Sequence, residues 1–232
     1  MDTGGESPRE EDPAAGRWLS DTRASYDADA VGYADETRNL TAELPPERDV
    51  MAYFADRVRA LGGGPVADVG CGPGRITAHL RGLGVDAFGI DLSPRMIEVA
   101  RREHPGLRFE VGSMTRLGLA DGSLAALLAW YSIIHVPDEA VVPVLTGFRR
   151  ALRPGGLLLL LGFHTGAPSP PGPGADGGRG PESCVRRRRP DRVAAWLDEA
   201  GLAVETHPTL TSAARELGGV LPARNSPSGA AR

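Results

Sequence analysis

The chain has 232 residues, with 26 lysines and arginines against 30 aspartates and glutamates, and its net charge is −4 at pH 7. This length allows one α/β domain with a sizeable core and leaves little room for a second. The acidic balance disfavours a dedicated nucleic-acid binder, because neutralising phosphates requires a surplus of basic side chains.

The N-terminal part of the sequence predicts helices. Residues 1–16 are rich in Asp, Glu, Gly and Pro and are predicted to form a disordered tail. From Trp18 to about Leu61 the pattern is helical, and it ends at Gly62.

Strand and helix patterns then alternate. Five strands are predicted, over Val66–Val69, Val85–Asp91, Leu107–Gly112, Ala126–Tyr131 and Leu157–His164. Helix-length segments separate them, and one of these has Ser93 placed to cap the helix and Pro94 in its first turn. Because strands separated by helices are joined by right-handed crossovers, the pattern predicts an α/β fold: a Rossmann-like parallel sheet with helices on both faces.

The pattern weakens after the fifth strand. Residues 166–189 are dominated by Gly, Pro and Arg, and their run of four arginines is interpreted as a solvated loop in preference to a nucleic-acid site. A helix ending at Gly201 and a short strand over Leu202–Thr206 follow, and residues 208–232 are expected to be an irregular tail. We therefore expect one domain over residues 17–207, with its C-terminal strands degraded or missing.

No apolar run approaches the roughly 20 residues that a membrane span requires, and the polar N-terminus lacks the apolar core of a secretory signal. Cys71 and Cys184 lie far apart without metal-ligand spacing, so they are expected to be reduced thiols. The sequence predicts a soluble cytoplasmic protein without a metal site, a membrane anchor or a nucleic-acid partner.

The turn after the first predicted strand, "DVGCGPGR", indicates a ligand site. Gly70, Gly72 and Gly74 let a ligand approach the backbone, and the free amides of the following helix favour a negatively charged group. Asp91 ends the next strand, where a carboxylate accepts hydrogen bonds from the two hydroxyls of a ribose. Together these features predict an adenosine-type cofactor.

Two neighbouring residues distinguish between cofactors. A dinucleotide site has the pattern G-x-G-x-x-G, and Arg75 stands where its third glycine would fall. Asp68 precedes the first glycine by two residues and would repel a pyrophosphate, but it suits an ammonium group. S-adenosylmethionine (SAM) carries an ammonium, a carboxylate and a ribose, and it satisfies all three features.

The sequence resembles the class I, seven-strand SAM-dependent methyltransferases of the small-molecule type. The segment "VADVGCGPG" is similar to the first motif of that family and "GIDLSPRMIEVAR" to the second. "FEVGSM" resembles the loop after strand three, and "RRALRPGGLLLL" resembles the entry into strand five. Four motifs in the family order are a specific signal.

The resemblance implies a set of cofactor contacts. Asp68 would lie near the methionine ammonium, and Asp91 would bind the ribose. The remaining cofactor-binding residues that it implies are Gly70, Cys71, Gly72, Gly74, Leu92, Met96, Ser113, Met114 and Trp130. Tyr26 and Tyr33 resemble the N-terminal helix that covers the cofactor in this family.

Methyl transfer requires alignment and exclusion of water, and a hydroxyl or ammonium acceptor also requires a base. His135 and His164 follow the fourth and fifth strands, at the sheet edge where ligand crevices form, and Tyr131 would face the sulfonium and the substrate. These three are the candidate catalytic residues. The acceptor is expected to be a small molecule.

Two alternatives stay open at the level of sequence. The weak C-terminal pattern, and Leu124 and Ala125 in place of the Phe-Asp pair common in this family, favour a SAM-binding protein without catalysis. An NAD-linked oxidoreductase would share the same half-sheet, although Arg75 counts against it.

Overall fold

The computed structural model describes residues 13–38, 45–162, 185–205 and 220–225. The helices of these residues are α1 (Pro13–Ala28), α2 (Ala30–Thr37), α3 (Pro45–Ala60), α4 (Arg75–Gly82), α5 (Pro94–Glu103), α6 (Asp138–Ala151) and α7 (Pro190–Glu199). The strands are β1 (Val66–Val69), β2 (Ala87–Asp91), β3 (Phe109–Val111), β4 (Leu124–Trp130), β5 (Leu152–Leu161), β6 (Leu202–Val204) and β7 (Val220–Asn225). A one-turn 3₁₀ helix, Ile133–His135, follows β4.

The strands form one sheet in the order β3-β2-β1-β4-β5-β7-β6. The pairs among β1 to β5 are parallel, and β7 runs antiparallel to both β5 and β6. The predicted Rossmann-like sheet is confirmed. Because the strand order reverses beside β1, the carboxyl ends of β1, β2 and β4 open onto a common crevice.

Strand β7 corrects the expectation that no strand forms after His207 and that the sheet edge is degraded. It pairs with β5 from Leu157↔Arg224 to Leu161↔Val220, and with β6 from Leu202↔Asn225 to Val204↔Ala223. Pro222 is an unusual residue within a strand, since proline lacks the N–H that a ladder needs. Strand β6 pairs with β7 only as far as Ala223, so among the described residues β7 is paired at Pro222 with β5 alone, and proline is tolerated beside an unpaired strand edge.

The two faces of the sheet are covered by different helices. In β4, Leu127 and Ala129 join the cluster beneath α6 and α7, whereas Leu128 joins the cluster beneath α3 and α4. This alternation explains why β4 reads as an uninterrupted apolar run: both faces are buried. Phe148 and Met51, one from each layer of helices, are fully buried.

The predicted start of the helix after β2 is confirmed. Ser93 Oγ accepts a hydrogen bond from the Met96 backbone N–H at 3.0 Å, and Pro94 occupies the first turn of α5. Helix α1 begins at Pro13, inside the segment 1–16 that was expected to be a tail; residues 1–12 lie outside the described residues.

None of the helices formed by the described residues is long and apolar enough to cross a membrane. Those same residues contain no group of three His, Cys, Asp or Glu side chains arranged to hold a metal ion. Cys71 is a free, buried thiol, and Cys184 falls in a part of the chain that the structure does not describe.

Candidate functional site

A cavity opens at the carboxyl ends of β1, β2 and β4, beneath helices α1 and α2. Its lining comes from both covering helices and from the loops that follow the strands. The lining residues are Trp18, Leu19, Thr22, Tyr26, Tyr33, Val69, Gly70, Gly72, Asp91, Leu92, Met96, Gly112, Ser113, Met114, Trp130, Tyr131, Ser132, His135 and Val136. The predicted crevice is therefore a real cavity in the fold.

The glycine turn between β1 and α4 is bare because its neighbours leave no room for side chains. Gly70 has φ +78°, and a Cβ atom added there would collide with Ser132, whose Oγ donates to the Val69 carbonyl at 2.7 Å. Gly74 has φ +84°, and its added Cβ would lie 2.6 Å from the Phe109 ring. The two glycines thus have different roles: Gly70 permits a close approach at the cavity wall, and Gly74 permits packing of α4 on the sheet.

Asp91 is the acid of the cavity. Its Oδ2 accepts from the Gly72 N–H and its Oδ1 from the Ser93 N–H, both at 2.8 Å. Burial raises the pKa of Asp91, and the hydrogen bonds from the backbone N–H groups of Ser93 and Gly72 lower it. A carboxylate oxygen has two lone-pair sites, so each Asp91 oxygen can accept one further hydrogen bond from a ligand.

Asp27 joins the covering helix α1 to the cofactor side of the fold. Its Oδ1 accepts from Ser93 Oγ at 2.6 Å and from the Arg95 N–H at 3.2 Å. Both donors lie at the start of α5, two and four residues after Asp91. The cover of the cavity and its acid are therefore connected through one helix N-terminus.

Asp68 lies behind the cavity wall and not on it. The side chain is 1 % exposed, and its Oδ2 accepts from Thr77 Oγ1 at 2.7 Å, whereas its Oδ1 has no hydrogen-bond partner in the parts of the chain that the structure describes. Burial raises the pKa of Asp68 to about 7, with a smaller contribution from the charge of Asp91. A buried carboxylate oxygen without a partner is costly unless a ligand or cation approaches it.

Two more ionisable side chains near this wall have buried atoms that find no hydrogen-bond partner among the described residues: Glu47 on α3, through Oε2, and Arg75 at the start of α4, through Nη1. Burial raises the pKa of Glu47 and lowers that of Arg75, while the charge of Arg75 lowers the pKa values of Glu47 and Asp68. Buried carboxylates beside a half-buried guanidinium suit a ligand that carries both an ammonium and a carboxylate.

A tyrosine and a histidine meet across the cavity. Tyr26 on α1 places its Oη 2.7 Å from His135 Nε2, and the rings lie edge to face with centroids 5.4 Å apart. Burial lowers the pKa of His135 to about 4 and raises that of Tyr26, so both groups are neutral at pH 7. His135 Nδ1 has no partner in the described part of the chain.

The end of β4 presents two aromatic residues. Trp130 is buried, its Nε1 has no hydrogen-bond partner within the described ranges, and its ring lies edge to face with that of Tyr131 at 6.1 Å. Tyr131 has φ +50°, a left-handed conformation that costs a bulky residue about 1–3 kcal/mol. This turn directs the chain from the strand into the segment that carries Ser132 and His135.

The structure brings most of the predicted site residues together. The predicted residues that line the cavity are Gly70, Gly72, Asp91, Leu92, Met96, Ser113, Met114, Trp130, Tyr131 and His135. Asp68, Cys71 and Gly74 lie behind the wall, and the Cys71 side chain packs with Ile97 and Phe109 under α5. His164 lies outside the described residues.

Sequence reasoning missed several lining residues. Trp18, Leu19 and Thr22 reach the cavity from α1, and Val136 reaches it from the turn after β4. Trp18, Leu19 and Thr22 stand at positions i, i+1 and i+4 of a helix and therefore lie on one face. This spacing could have identified them from the sequence. Nothing local in the sequence marked Val136 or Glu47.

Comparisons with known proteins agree with this geometry. Residues 66–156 match a family model described as a methyltransferase domain. The demethylmenaquinone methyltransferase of Beutenbergia cavernae is 32% identical over 152 residues, which cover 62% of this chain and 62% of that protein. An O-methyltransferase of Pyrenophora dematioidea is 33% identical over 151 residues, covering 60% of this chain and 55% of that protein. The chain thus spans about three fifths of these curated relatives.

Among solved structures, the SAM-bound amino pentose methyltransferase CalS10 of Micromonospora echinaspora superposes with a TM-score of 0.61 at 18% identity. The superposition covers 83% of this chain and 97% of that one, and it shows a shared fold. The matched residues include the glycine turn, Asp91 and the end of β4, which line the cavity together with residues of α1 and α2. Residues 66–156 thus match a methyltransferase domain, and the chain is similar in sequence and fold to SAM-dependent methyltransferases.

Proposed function

We propose that this protein transfers the methyl group of SAM to a hydroxyl group of a small, uncharged acceptor, with Tyr26 and His135 receiving the acceptor proton. The observation that carries the proposal is the 2.7 Å contact between Tyr26 Oη and His135 Nε2 inside the cavity that Asp91 and the glycine turn also line. It supplies a proton acceptor where the family places its cofactor.

The residues present fit SAM. Asp91 would accept from the ribose hydroxyls, Gly70 and Gly72 would allow the ligand to approach the backbone, and Leu92 and Met96 would bound the adenine. The unpartnered atoms of Asp68, Glu47 and Arg75 match the ammonium and carboxylate of its methionine part in charge. When bound, SAM supplies a methyl group on a positively charged sulfur, which a nucleophile attacks in line.

The tyrosine–histidine pair handles the proton. With the His135 proton on Nδ1, its Nε2 accepts from Tyr26 Oη, and the Tyr26 oxygen can in turn accept from the acceptor hydroxyl. Transfer of the acceptor proton to the Tyr26 oxygen, with the Tyr26 proton passing to His135 Nε2, leaves a nucleophilic oxygen and a neutral tyrosine. Helices α1 and α2 line the cavity through Trp18, Tyr26 and Tyr33, and this cover would limit the access of water to the reaction.

The lining indicates what kind of acceptor fits. Asp91 is the one ionised side chain among the described lining residues, and no lysine or arginine accompanies it. An acceptor with a phosphate or carboxylate would therefore find no counter-ion among these residues. Trp18, Leu19 and Met114 favour an apolar ring or chain. A relative named as an O-methyltransferase is consistent with a hydroxyl acceptor.

Calorimetry tests the cofactor site. We expect SAM and its demethylated product to bind the wild-type protein, and Asp91→Ala to weaken binding about a hundredfold, because two charge-assisted hydrogen bonds are lost. Asp86→Ala is the matched control, since Asp86 is an exposed acid just before the other end of β2, paired with Arg81. Equal affinity of both variants for the cofactor would refute the assigned site.

Turnover tests the proton acceptor. With a panel of neutral phenols and catechols, His135→Asn should lower kcat about a hundredfold or more while affinity for the demethylated cofactor stays within twofold. Cofactor binding without turnover on any acceptor in the wild-type protein would instead support a binding protein without catalysis. Preferential binding of a nicotinamide cofactor would support the oxidoreductase alternative.

A further inference from the structure

The run of four arginines at positions 186–189 was expected to be a solvated loop. That expectation is wrong for Arg188, which is 6 % exposed and sits against the turn after β4. Building on the proposed function, we propose that Arg188 is a positioning residue for the Tyr26–His135 pair, because its guanidinium holds the backbone of the turn that carries His135.

The guanidinium contacts both sides of His135. Arg188 Nη1 donates to the Ile133 carbonyl at 3.1 Å, two residues before the histidine, and Nη2 donates to the Val136 carbonyl, one residue after it. Nε and Nη2 also donate to Asp138 Oδ1 at 3.0 and 2.8 Å. One rigid fork thus fixes the start of the turn, its end and the first residue of α6.

The neighbouring backbone adds a further contact. The Arg186 N–H donates to the Ile134 carbonyl at 2.8 Å. Three carbonyls around His135 therefore accept from residues 186–188. A single 3₁₀ turn provides few internal hydrogen bonds of its own, so this outside support determines its geometry.

The His135 ring needs that support. Its Nδ1 has no partner among the described residues, and its Nε2 contacts the Tyr26 hydroxyl. Catalytic histidines are oriented by whatever holds their second nitrogen, and here no side chain of the described residues does so. The orientation of the ring toward Tyr26 must come from the backbone, and Arg188 holds that backbone.

The arginine is itself held in place. Its guanidinium lies over the Trp196 ring of α7 at 5.2 Å, and Asp138 partly offsets the cost of burying the charge. Lysine cannot reproduce the fork, because a single ammonium cannot reach two carbonyls and a carboxylate in one plane. The requirement is thus specific to arginine.

The test compares Arg188→Met and Arg188→Lys with the control Arg189→Met. Arg189 is exposed and paired with Asp191, so its replacement leaves the turn unchanged. We expect Arg188→Met to lower kcat at least tenfold, with affinity for the demethylated cofactor within twofold, because Asp91 and the glycine turn are untouched. Arg188→Lys should show an intermediate loss and keeps the test available if Arg188→Met does not fold.

NMR of the ¹⁵N-labelled imidazoles gives a readout that a purely structural role would not move. Once the turn is released, His135 should titrate at least one pH unit closer to an ordinary histidine in both Arg188 variants and not in Arg189→Met. Folded Arg188 variants with wild-type kcat and an unchanged His135 titration would overturn the proposal. The titration needs no cofactor, so failure of the wild-type protein to bind SAM or methylate would count against the proposed function alone.

Discussion

Two regions of the molecule differ in how their buried polar atoms are hydrogen-bonded. The cofactor side lies at the carboxyl ends of β1, β2 and β4, and the C-terminal edge comprises β5, β6, β7 and the described residues from 185 onward. On the cofactor side, Asp68 Oδ1, Trp130 Nε1 and His135 Nδ1 have no partner among the described residues. At the edge, the amide nitrogen of Asn225 donates to three carbonyls, and the guanidinium of Arg188 makes four hydrogen bonds.

The buried edge atoms without a hydrogen-bond partner among the described residues are Nε atoms of arginines, each of which has four further N–H donors, and Arg224 Nε also lies 2.6 Å from Glu205 Oε1 in an ion pair. On the cofactor side, Arg75 Nη1 apart, the corresponding atoms belong to groups with few other hydrogen-bonding atoms. Unsatisfied buried groups cost stability, and their concentration around one cavity indicates a region built to be completed by a ligand. The edge is complete in itself and supports that region from behind.

The largest effect that we expect is on the pH dependence of stability. The pKa of Asp68 is about 7 in the folded protein and near 4 when unfolded, so the folded state holds an extra proton between these values. The contribution of protonated Asp68 to the free energy of unfolding is therefore fully present below pH 4 and is lost as the pH rises toward 7. Asp68→Asn cannot ionise, and the variant should gain up to about 4 kcal/mol relative to wild type between pH 4 and pH 8.

Chemical denaturation of both proteins across this pH range measures the difference. Asn keeps an oxygen to accept from Thr77 Oγ1, so the packing is preserved. Parallel stability curves for the two proteins would mean that Asp68 is not a buried, ionisable group. The buried polar atoms of the cofactor side would then cost the folded protein less free energy than we infer.

A second test concerns the backbone of the same side. Gly70→Ala should destabilise the protein by about 3 kcal/mol, because its φ is +78° and the added Cβ would collide with Ser132. Gly82→Ala at the end of α4 is the control, since nothing lies within 4 Å of the added atom and its φ is not positive. The control should be neutral or more stable by up to about 1 kcal/mol. Similar thermal unfolding of both variants would contradict the prediction.

The two regions also differ in how far the sequence could predict them. Gly70, Asp91 and Ser93 belong to short local patterns, in which a strand is followed by a glycine turn or by a capped helix. The glycine turn and the capped helix were therefore predicted correctly. Strand β7 is stabilised by its pairing with β5 and β6, which are separate segments of the chain. Its own sequence is a weak predictor of a strand, because Pro222 is unfavourable in one. The surroundings decide its structure.

The same reason explains the remaining differences at the site. Tyr26 and His135 were each identifiable as candidates, but their contact joins residues 109 positions apart and no local pattern encodes it. Arg188 lies in a segment whose composition is typical of a solvated loop. Its burial follows from the carbonyls of the turn after β4, which only the folded sheet brings near.

The C-terminal edge offers a third test. Asn225 is 8 % exposed, and its Nδ2 donates to the Leu152 carbonyl at 2.7 Å, with longer contacts to the carbonyls of Arg149 and Arg153. Asn225→Ala leaves those carbonyls without that donor and should cost about 2 kcal/mol in unfolding free energy. Val204→Ala on β6 is the control, since Val204 is 37 % exposed, and it should cost less than about 0.5 kcal/mol. If Asn225→Ala is as stable as its control, β7 does not lock the end of α6 to the sheet.

The smallest effect concerns the pH dependence of methyl transfer. Burial holds the pKa of His135 near 4, below the ordinary value of 6.5, so the ring stays neutral and able to accept a proton throughout the range from pH 6 to pH 8. We expect kcat to change less than about twofold over that range and to fall only as the pH approaches 4. A fall of kcat with a midpoint near 6.5 would show that His135 is solvated during turnover, as at an open surface. His135 Nδ1 would then lack a hydrogen-bond partner only in the resting protein, because water that enters the cavity during turnover can bond to Nδ1 without any ligand.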